Sequence, residues 1–559
     1  MGCRARLFSL IGDKLIACFY LCSLFGRIPC MLRNATKYIV GLTVSALLIV
    51  SCTPSVPTAA YPTYDPFAPV GGGNTSAAAV TSGQVQADRP IPSGPRPTKA
   101  PVSILIQEFD ANAALKPTPD LPHAIPSPRQ DSESYSVQAG DTLGSIAQAY
   151  GISLNSLLQS NDLNESSILM VGQTLTIPPV DSGTDAGSSF KIVPDTELVN
   201  SPTAIDFNTE EFLQKHNGYL SNYVGEVNGE YLSGAQIIDR IAQNYSVNPR
   251  LLIALLEYKS QWVTSQTPSN VDYPMGFYDG YNSGLNKQMA WAANQLNRGF
   301  YLWRANALSS LALSDGTYVP MDPTINAGTA GVQYFLAQFN NRPTWDLDVS
   351  EFGFALTYNQ LFGSPFRYQI LSPQSDTLTQ PYMQLPIERG KAWTFTGGPH
   401  GGWDSGSAWG ALDFAPPGEG GGCAPAPDWV VAAADGLIVR ADEGAVVQDL
   451  DNDGYEQTGW TVLYMHVASD GRVQPDTYLY AGENIGHPSC EGGVSNATHL
   501  HLARRYNGEW IPADGNIPFV LDGWMSSGDG IEYDGYLKKG STVIQAEEGV
   551  LEGVNQISR

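Results

Sequence analysis

Histidines gather near the carboxyl end of this sequence. Five of its seven histidines follow residue 395. They are His400, His466, His487, His499 and His501. Imidazole is the commonest metal ligand in proteins and the side chain best suited to move protons near neutral pH. The cluster therefore predicts a metal-dependent or acid–base site in the last third of the chain.

His499 and His501 belong to a strand-like segment, HLHLARRY. Alternate side chains of a strand point to the same side, so both imidazoles should face one cleft while Leu500 faces away. Asp413, in the strand-like segment WGALDFA, can add a carboxylate oxygen, and His400 lies in GGPHGGW, which predicts a flexible glycine-rich loop. Two histidines and one carboxylate with an open fourth position form a recurrent hydrolytic zinc site. The pattern predicts Zn²⁺ as a cofactor.

Composition limits the partners and the architecture. Thirty Lys and Arg against 55 Asp and Glu give a net charge of −25, which repels phosphate backbones and excludes nucleic acid as a partner. The 559 residues include 57 Gly and 39 Pro, which indicates spacer segments. At about 150 residues per domain, the length predicts three or four units.

Residues 1–52 have the pattern of an export signal. Basic residues precede the apolar run YIVGLTVSALLIV, which is too short to span a bilayer comfortably. The following Ser-Cys pair completes a segment that resembles a bacterial lipobox, which implies lipidation of Cys52 and a mature protein held at a membrane. The signal is compact if translation starts at Met31 instead of Met1. The alternative is an uncleaved anchor that uses both apolar runs.

Two cysteines remain in the part of the chain that follows the signal. Both interpretations of the amino-terminal segment place Cys423 and Cys490 outside the cytoplasm, where thiols oxidise. No other cysteine of the soluble part competes for either of them. The sequence therefore predicts a disulfide between Cys423 and Cys490.

Two segments have the composition of spacers. Residues 53–133 are rich in Pro, Ala, Ser, Thr and Gly and cannot bury a core, which predicts a disordered tether. Residues 180–191 contain VDSGTDAGSS, which predicts a short flexible linker.

Residues 134–179 predict a compact β-α-α-β unit. The segments YSVQAGDTLGSIAQAYGI, NDLN and GQTLTIP, in this order, resemble a LysM module over its whole length. The resemblance implies binding of N-acetylglucosamine-containing glycans such as peptidoglycan, between the first strand–helix loop and the loop before the last strand. The glycan-binding residues it implies are Gly140, Asp141, Thr142, Leu143, Ile168 and Leu169.

Residues 192–380 predict a mostly helical domain. An apolar stripe at helical spacing consists of Ile237, Ile238, Ile241, Ala242 and Tyr245. Asn248 and Pro249 then predict the start of a second helix. The segment IAQNYSVNPRLLIALLEYKS resembles lysozyme-like transglycosylases, in which this helix supplies a glutamate as general acid; here that position is Lys259, and Glu257 faces about 200° away. We therefore expect a non-catalytic domain.

Residues 383–530 predict an antiparallel β domain. The segments DFAP from 413, AADG from 433, YMH from 464 and THLHL from 498 resemble zinc endopeptidases of the lysostaphin and LytM type, which cleave peptide bonds of peptidoglycan. The usual first zinc histidine, four residues before the aspartate, is replaced here by Trp409. His400, 13 residues before Asp413, fits the beta-lytic branch typified by staphylolysin, in which this histidine lies upstream on a glycine-rich loop.

The resemblance implies a role for each residue. The zinc ligands would be His400, Asp413 and His501, and the catalytic pair would be His466 and His499. We expect the remaining histidine, His487, to be structural.

An aspartate-rich segment follows inside the same domain. Asp449, Asp451 and Asp453 precede Gly454 at the spacing that opens a calcium loop, but position twelve is Trp460 instead of glutamate. An acidic turn between two strands is the favoured interpretation, with calcium as the alternative. Residues 531–559 are a carboxy-terminal extension.

The sequence thus predicts a multidomain α+β protein: a small LysM unit, a helical middle domain and an antiparallel β peptidase domain. Its predicted function is that of a membrane-anchored lipoprotein of the cell envelope that docks on glycan and hydrolyses a stem-peptide or cross-bridge amide with zinc. The alternative is a non-enzymatic peptidoglycan-binding protein or hydrolase activator with a degenerate peptidase domain. Glycan cleavage by the middle domain would need a general acid that the sequence does not supply.

Overall fold

The structure is a computed structural model. It describes residues 91–101, 107–108 and 131–559, apart from the short gaps 139–140, 144–145, 148–149, 151, 153, 165–166, 168, 180–185, 370–377, 419–421 and 552. The predicted signal, the lipidation site Cys52, most of the tether, and Gly140 and Ile168 lie outside the described residues. Within the described ranges, no helix combines the length and the apolar character that crossing a bilayer requires.

The LysM unit is built on two antiparallel strands, Glu133–Ser136 and Thr174–Ile177, and the helix Leu154–Ser160. The Asp141 carboxylate accepts hydrogen bonds from the Tyr135 hydroxyl and the Gln138 backbone N–H, both at 2.7 Å. These bonds fix the loop of the predicted glycan groove.

Three other residues of the predicted groove differ in exposure. Thr142 is exposed and Leu169 is half-buried. Leu143 is only 8% exposed and packs in the domain core. Its side chain therefore supports the loop from below, which corrects the expectation that it faces a ligand.

The middle domain is predominantly helical. Its α-helices are Asp195–Leu198, Thr209–His216, Gly234–Tyr245, Pro249–Ser260, Leu285–Arg304, Ala327–Ala337, Arg342–Asp348 and Phe354–Phe362, with 3₁₀ turns Pro202–Ala204, Tyr219–Asn222 and Pro365–Arg367. Two-stranded ribbons join Val224–Val227 to Glu230–Ser233, Ser310–Ala312 to Tyr318–Pro320 and Gln107–Glu108 to Tyr368–Gln369.

The predicted helix pair at the centre of this domain is confirmed. The five apolar stripe residues of Gly234–Tyr245 are all buried. Asn248 caps the next helix, because its side-chain oxygen accepts a hydrogen bond from the Arg250 N–H at 3.0 Å, and Pro249 occupies the first turn. The side chains from Leu251 to Leu256 are 0% exposed, so this helix is the centre of the core.

Glu257 and Lys259 have separate surroundings, as the sequence predicts. Glu257 accepts hydrogen bonds from the backbone N–H groups of Val263 and Thr264 at 2.9 and 3.1 Å, so it closes the turn after the helix. Lys259 instead lines a groove on the domain surface.

The carboxy-terminal part is built on a nine-stranded antiparallel sheet. Its strand order is Tyr478–Leu479, Gly436–Asp442, Ala445–Asp449, Trp460–Met465, Leu500–Tyr506, Ala411–Ala415, Ala392–His400 and Gln556–Ser558, with Glu509–Trp510 paired to Leu500–Tyr506. A four-stranded sheet of Val520–Leu521, Trp524–Ser527, Tyr536–Lys539 and Thr542–Gln545, and the pair Val430–Val431 with Asn484–Gly486, accompany it. Residues 531–559 are therefore part of the β architecture and do not merely extend it.

The middle domain packs directly on this sheet. One continuous cluster of buried apolar side chains contains residues of the middle helices together with Ala411, Val447, Leu463, Ala503 and Trp510 of the β domain. Polar contacts surround it, including Arg240 with Glu443 at 2.6 Å and Arg304 with Glu509 at 2.9 Å. The two domains thus share a core.

Part of the predicted tether also contacts the β domain. Arg96 donates to both carboxylate oxygens of Glu483, at 2.5 and 2.7 Å. The Thr98 carbonyl accepts from the Asn452 amide at 2.6 Å, and the Lys99 ammonium lies 4.6 Å from the Tyr455 ring centre. Such exposed contacts contribute about 1 kcal/mol or less each, which is enough to bias the path of the segment.

The aspartate-rich segment forms a turn between the strands Ala445–Asp449 and Trp460–Met465. Asp449 is fully buried, and its carboxylate accepts the N–H groups of Asp451 and Gly454 at 3.1 and 2.8 Å. Burial, a proton shared with Asp451 and the charge of Asp453 raise the pKa of Asp449 to about 8. Burial likewise raises the pKa of Asp453, and Lys99 from the tether, the nearby cation, opposes this rise.

This turn predicts a pH-dependent stability. The unfolded chain releases the Asp449 proton near pH 4, whereas the folded protein keeps it to about pH 8. The folded state is therefore disfavoured as pH rises through this window, by up to about 1.4 kcal/mol per pH unit. Asp449→Asn should raise the melting temperature relative to wild type more at pH 8 than at pH 5, measured with a calcium chelator present. Asp470→Asn, at an exposed aspartate, should give the same small difference at both pH values; an equal response from both variants would contradict the prediction.

Candidate metal centre

Three neighbouring strands bring the predicted zinc ligands together. Asp413 lies in Ala411–Ala415 and is the cross-strand partner of His501 in Leu500–Tyr506. His400 is the last residue of Ala392–His400, which borders the Asp413 strand on its other side. Gly397 permits this approach, since a Cβ there would lie 2.8 Å from Asp413 Oδ2.

The setting of His400 differs from the sequence expectation. The glycine-rich segment predicts a flexible loop, but His400 ends a buried strand and is only 2% exposed. The physical reason is that strand pairing satisfies the backbone groups that a glycine-rich segment would otherwise expose to water. The ligand is consequently preorganised.

The three predicted ligands converge within hydrogen-bonding distances. Asp413 Oδ1 is 3.2 Å from His400 Nε2 and 3.2 Å from His501 Nδ1, and these two nitrogens are 2.9 Å apart. Four-coordinate zinc with bonds near 2.0–2.2 Å requires ligand atoms separated by roughly 3–4 Å. The spacing of the site fits this requirement closely.

Backbone carbonyls fix the orientation of both imidazoles. His400 Nδ1–H donates to the Gly398 carbonyl at 2.8 Å, and His501 Nε2–H donates to the Gly402 carbonyl at 3.1 Å. In the neutral rings, the remaining nitrogens therefore carry lone pairs directed at each other. Two lone pairs cannot form a hydrogen bond, so the arrangement calls for a cation between them.

The Asp413 carboxylate has the same requirement. Its Oδ1 is buried and has no hydrogen-bond partner among the described residues. Leaving such an oxygen unsatisfied is costly, and a metal ion removes this cost. The donor set of two imidazole nitrogens and one carboxylate oxygen fits Zn²⁺.

The charges of the site are strongly coupled. Burial opposes the charged form of Asp413, but His400 and His501 outweigh it and hold the pKa of the carboxyl well below its usual range. Burial likewise opposes charge on His400, and Asp413 reverses the effect and raises the pKa of this imidazole. Burial lowers the pKa of His501. The Asp413 carboxylate therefore stays ionised and faces the two ring nitrogens that could bind a metal.

The predicted catalytic pair lies beside these ligands. His499 Nδ1 donates to the Ala497 carbonyl at 2.8 Å, and its Nε2 is 3.8 Å from Asp413 Oδ2. The His466 and His499 ring centres are 4.5 Å apart. Burial and the neighbouring imidazoles lower the pKa of His466 to about 4, so this ring is neutral near pH 7.

A disulfide connects the two loops that lead to this pair. Cys423 and Cys490 are bonded, with their Cα atoms 5.1 Å apart. Cys490 precedes Glu491, whose carbonyl lies 3.1 Å from His466 Nδ1. Near Cys423, the Thr498 hydroxyl donates to the Ala424 carbonyl at 2.8 Å. The bond therefore supports both histidines of the predicted catalytic pair.

All five residues open into one cleft of about 1010 Å³. The sequence analysis missed Tyr533, which also lines it: its ring stacks on that of His400, 4.2 Å between centres and 18° between planes. Burial raises the pKa of Tyr533 to about 12, so its hydroxyl stays protonated near neutral pH and can donate. No motif marks this residue, because it reaches the site through the fold of 531–559.

The middle domain supplies the opposite wall of the cleft. Arg240, Asn244, Tyr245 and Asn286, all from middle-domain helices, line it. These residues and the predicted metal ligands line the same cleft.

Two helices of the middle domain also hold the loop that follows His400. The Tyr245 hydroxyl donates to Asp404 at 3.1 Å. The Asn294 side chain accepts from the Gly406 N–H at 2.6 Å and donates to the Ser405 hydroxyl at 3.2 Å. This loop contains Gly402, the acceptor that orients His501, so the helical domain reaches the metal centre through it.

Two residues considered in the sequence analysis lie away from the cleft. His487 packs against Trp429, with ring centres 3.9 Å apart, and its Nδ1 lies 3.0 Å from the Asp428 carbonyl oxygen. Trp409 is absent from the cleft lining, and its carbonyl accepts from the Ala513 N–H at 2.7 Å. Both are structural in this fold.

Comparisons with known protein families match two segments of the chain. Residues 135–178 match the LysM domain family, and residues 191–375 match the family described as LasA, N-terminal domain. No curated protein matches the chain. The chain thus contains a LysM domain followed by a domain of the LasA N-terminal type.

Several solved structures resemble part of the chain. Pseudoalterin, an M23 metalloprotease from the deep sea, is 23% identical; the match covers 32% of this chain and 99% of that one, with a TM-score of 0.25. The catalytic domain of lysostaphin from Staphylococcus simulans is 26% identical, with coverages of 22% and 87% and a TM-score of 0.16. The catalytic domain of the M23 protein EnpA from Enterococcus faecalis is 19% identical, with coverages of 23% and 93% and a TM-score of 0.16.

The first prediction from this geometry concerns metal content. His400→Ala removes one of three ligands and should weaken zinc binding by more than about 100-fold, since even the loss of an outer-shell partner costs about 10- to 100-fold. Zinc per chain, measured by atomic emission after dialysis, should fall from about one to near zero. His487→Ala should retain zinc, because that ring is remote from the site. Full zinc content in His400→Ala would contradict the three-ligand site.

A second prediction concerns the loop after His400. Asn294→Ala removes two hydrogen bonds from residues 405 and 406 and should lower zinc affinity by about tenfold, measured by competition with a chromophoric chelator. Asn359→Ala, at an exposed helical position of the same domain, is the matched control. Unchanged affinity in Asn294→Ala would show that the helical domain does not support the metal centre.

Proposed function

We propose that this protein is a zinc-dependent hydrolase that cleaves peptide bonds of cell-wall peptidoglycan. The observation that carries the proposal is the buried Asp413 Oδ1, which lacks a hydrogen-bond partner in the described part of the chain and faces lone pairs of His400 and His501. Burying a carboxylate against two imidazole lone pairs costs free energy, and a cation bound between them would remove this cost. The motif resemblance of the β domain to lysostaphin-type and LytM-type peptidases supports the same conclusion.

The residues around the triad have the properties that amide hydrolysis needs. Zinc held by His400, Asp413 and His501 would supply Lewis acidity and activate water at neutral pH. His499 donates Nδ1–H to the Ala497 carbonyl, so its Nε2 can take a proton from the attacking water and pass it to the departing amine. The protonated Tyr533 hydroxyl can donate a hydrogen bond to a developing oxyanion. His466 is neutral near pH 7 and directs Nδ1–H at the Glu491 carbonyl, so its Nε2 can accept a proton.

The other domains support a cell-wall substrate. A LysM domain implies peptidoglycan binding, and a second attachment point raises the concentration of substrate peptides at the cleft. The Cys423–Cys490 disulfide fits an oxidising, extracytoplasmic location. A lipid anchor on Cys52 would hold the protein at the cell envelope.

The complete triad does not favour the alternative of a degenerate, binding-only domain. That alternative depends on a missing ligand at Trp409, and His400 supplies the third donor at 3.2 Å from Asp413. Glycan cleavage is not favoured either, because Lys259 stands where a general acid would be needed and Glu257 is engaged in the turn.

The test compares amide cleavage in three proteins. Wild type and His487→Ala should release new amino groups from purified peptidoglycan without new reducing ends. His499→Ala should retain zinc but release amino groups about 10² to 10⁴ times more slowly, because it lacks the proton-transfer group. Release of reducing ends, or zinc-loaded wild type that releases no amino groups from any peptidoglycan type, would overturn the proposal.

A further inference from the structure

The aspartate-rich turn of the β domain carries a second group of metal-binding oxygens, separate from the metal centre. The turn connects the strands Ala445–Asp449 and Trp460–Met465. One carboxylate oxygen each from Asp449, Asp451 and Asp453 lies within 4.8 Å of the other two. None of these three residues lines the catalytic cleft, and the proposed hydrolysis does not use them.

The backbone of the turn holds the carboxylates in place. Asp449 accepts the N–H groups of Asp451 and Gly454 at 3.1 and 2.8 Å. Asp451 in turn accepts the Asp453 N–H at 3.3 Å. Gly459 leaves room for the middle carboxylate, because a Cβ there would overlap Asp451 Oδ2. The fold of the turn therefore gathers the three groups.

A buried hydroxyl without a partner faces the turn from the neighbouring strand. Thr461 is the direct cross-strand partner of Asp449, and such partners project from the same face of a sheet with Cβ atoms about 5 Å apart. Thr461 is only 1% exposed, and its Oγ1 has no hydrogen-bond partner among the described residues. Burying a hydroxyl in this state costs free energy. A cation held beside Asp449 would remove this cost, because the hydroxyl could bind the ion or a water molecule of its shell.

The surrounding cations do not balance the charge of the turn. Arg440 and Arg505 lie on the adjoining strands, but both pair with Glu456, at 2.6 and 2.5 Å. Lys99 from the tether is the nearby cation, and one ammonium cannot neutralise three carboxylates. Burial and this imbalance raise the pKa of Asp449 to about 8, so a proton takes the place that a cation would fill.

We propose that the turn binds one calcium ion through the carboxylates of Asp449, Asp451 and Asp453. Donors that are all oxygen favour a hard cation over zinc. Calcium bonds of about 2.3–2.6 Å allow ligands up to about 5 Å apart, whereas magnesium requires a smaller octahedron at about 2.0–2.1 Å. Because Trp460 replaces the bidentate glutamate at position twelve, we expect a Kd of about 10⁻⁴ to 10⁻³ M, as in extracellular calcium modules.

Calcium in this turn would also fix the contact between the tether and the β domain. Asn452 lies between two of the ligands in sequence. Its amide donates to the Thr98 carbonyl at 2.6 Å, and its carbonyl accepts the Ala100 N–H at 2.6 Å. An ion bound by Asp451 and Asp453 holds this residue, and with it the docking point of the tether. The site therefore acts on stability and on the path of the tether instead of on the cleavage chemistry.

Calorimetry on the full-length chain tests the site. The metal-stripped protein is first reloaded with one zinc ion per chain, which fills the metal centre before calcium is added. Titration with calcium chloride should then show one saturable site with a Kd of about 10⁻⁴ to 10⁻³ M, and magnesium should bind at least about tenfold more weakly. Calcium at about 10 mM should also raise the melting temperature, because an ion that binds only the folded state stabilises it.

A substitution in the turn assigns the ion. Asp451→Asn, at an exposed position, should weaken calcium binding by at least about tenfold, because it removes one of three charged ligands. Asp470→Asn, at an exposed aspartate outside the turn, should bind calcium as wild type does. His400→Ala, which lacks a zinc ligand, should also bind calcium normally, and Asp451→Asn should release amino groups at the wild-type rate. These two results separate this proposal from the hydrolase proposal.

Thr461→Val tests where the ion lies. The variant should bind calcium about three- to tenfold more weakly, as expected for the loss of one hydrogen bond or ligand bond. Without calcium, its melting temperature should equal or exceed that of wild type, because an unsatisfied buried hydroxyl is removed. Unchanged calcium affinity in this variant would contradict the proposed position of the ion.

Three outcomes would overturn the inference. One is the absence of saturable calcium binding by zinc-reloaded wild type up to about 10 mM. Another is saturable binding that Asp451→Asn leaves unchanged, which would place the ion elsewhere on the chain. The third is magnesium binding as tight as that of calcium, which would assign the turn to the smaller ion.

Discussion

A buried carboxylate oxygen that has no hydrogen-bond partner among the described residues lies at the centre of the carboxy-terminal site. Burying an unpaired charged group costs several kcal/mol, and at Asp413 the fold places two imidazole nitrogens, as potential metal ligands, 3.2 Å from the carboxylate oxygen. The carbonyls of Gly398 and Gly402 accept the ring N–H groups of His400 and His501. The other nitrogen of each ring therefore carries a lone pair and faces the carboxylate. Paired strands on both sides of Asp413 and the stacked ring of Tyr533 on His400 surround this arrangement.

The middle domain is part of that support. Its helices contribute to the same apolar cluster as the sheet, and Tyr245 and Asn294 hold the loop that carries Gly402. Packed cores transmit small displacements because they are as dense as organic crystals. The helical domain therefore constrains the metal centre instead of acting as a spacer, and its residues form one wall of the cleft.

The order of domains along the chain differs from their arrangement in space. Arg96 and Lys99 contact the carboxy-terminal domain although the LysM unit follows them in sequence. Part of the tether is thus fixed to the catalytic unit before the chain reaches the glycan-binding module.

The sequence by itself determined the features that depend on local chemistry. The cap at Asn248, the apolar stripe of Gly234–Tyr245 and the two-residue alternation of His499 and His501 are properties of single elements, so local patterns predict them. The motifs of the LysM module, the cysteine pair and the identities of the candidate ligands also follow from residue types and spacing. These patterns gave the candidate chemistry and the kinds of domain that carry it.

Only the tertiary structure decided features that depend on distant pairing. Strand pairing with Ala411–Ala415 and Gln556–Ser558 converts the glycine-rich segment of His400 from an expected loop into a buried strand. Tyr533 reaches His400 from 133 residues away in sequence, and the lining of the cleft combines segments that no spacing rule connects. Local propensity acts over a few residues, whereas register, domain packing and burial arise from contacts between remote segments, and these contacts set the geometry of the site.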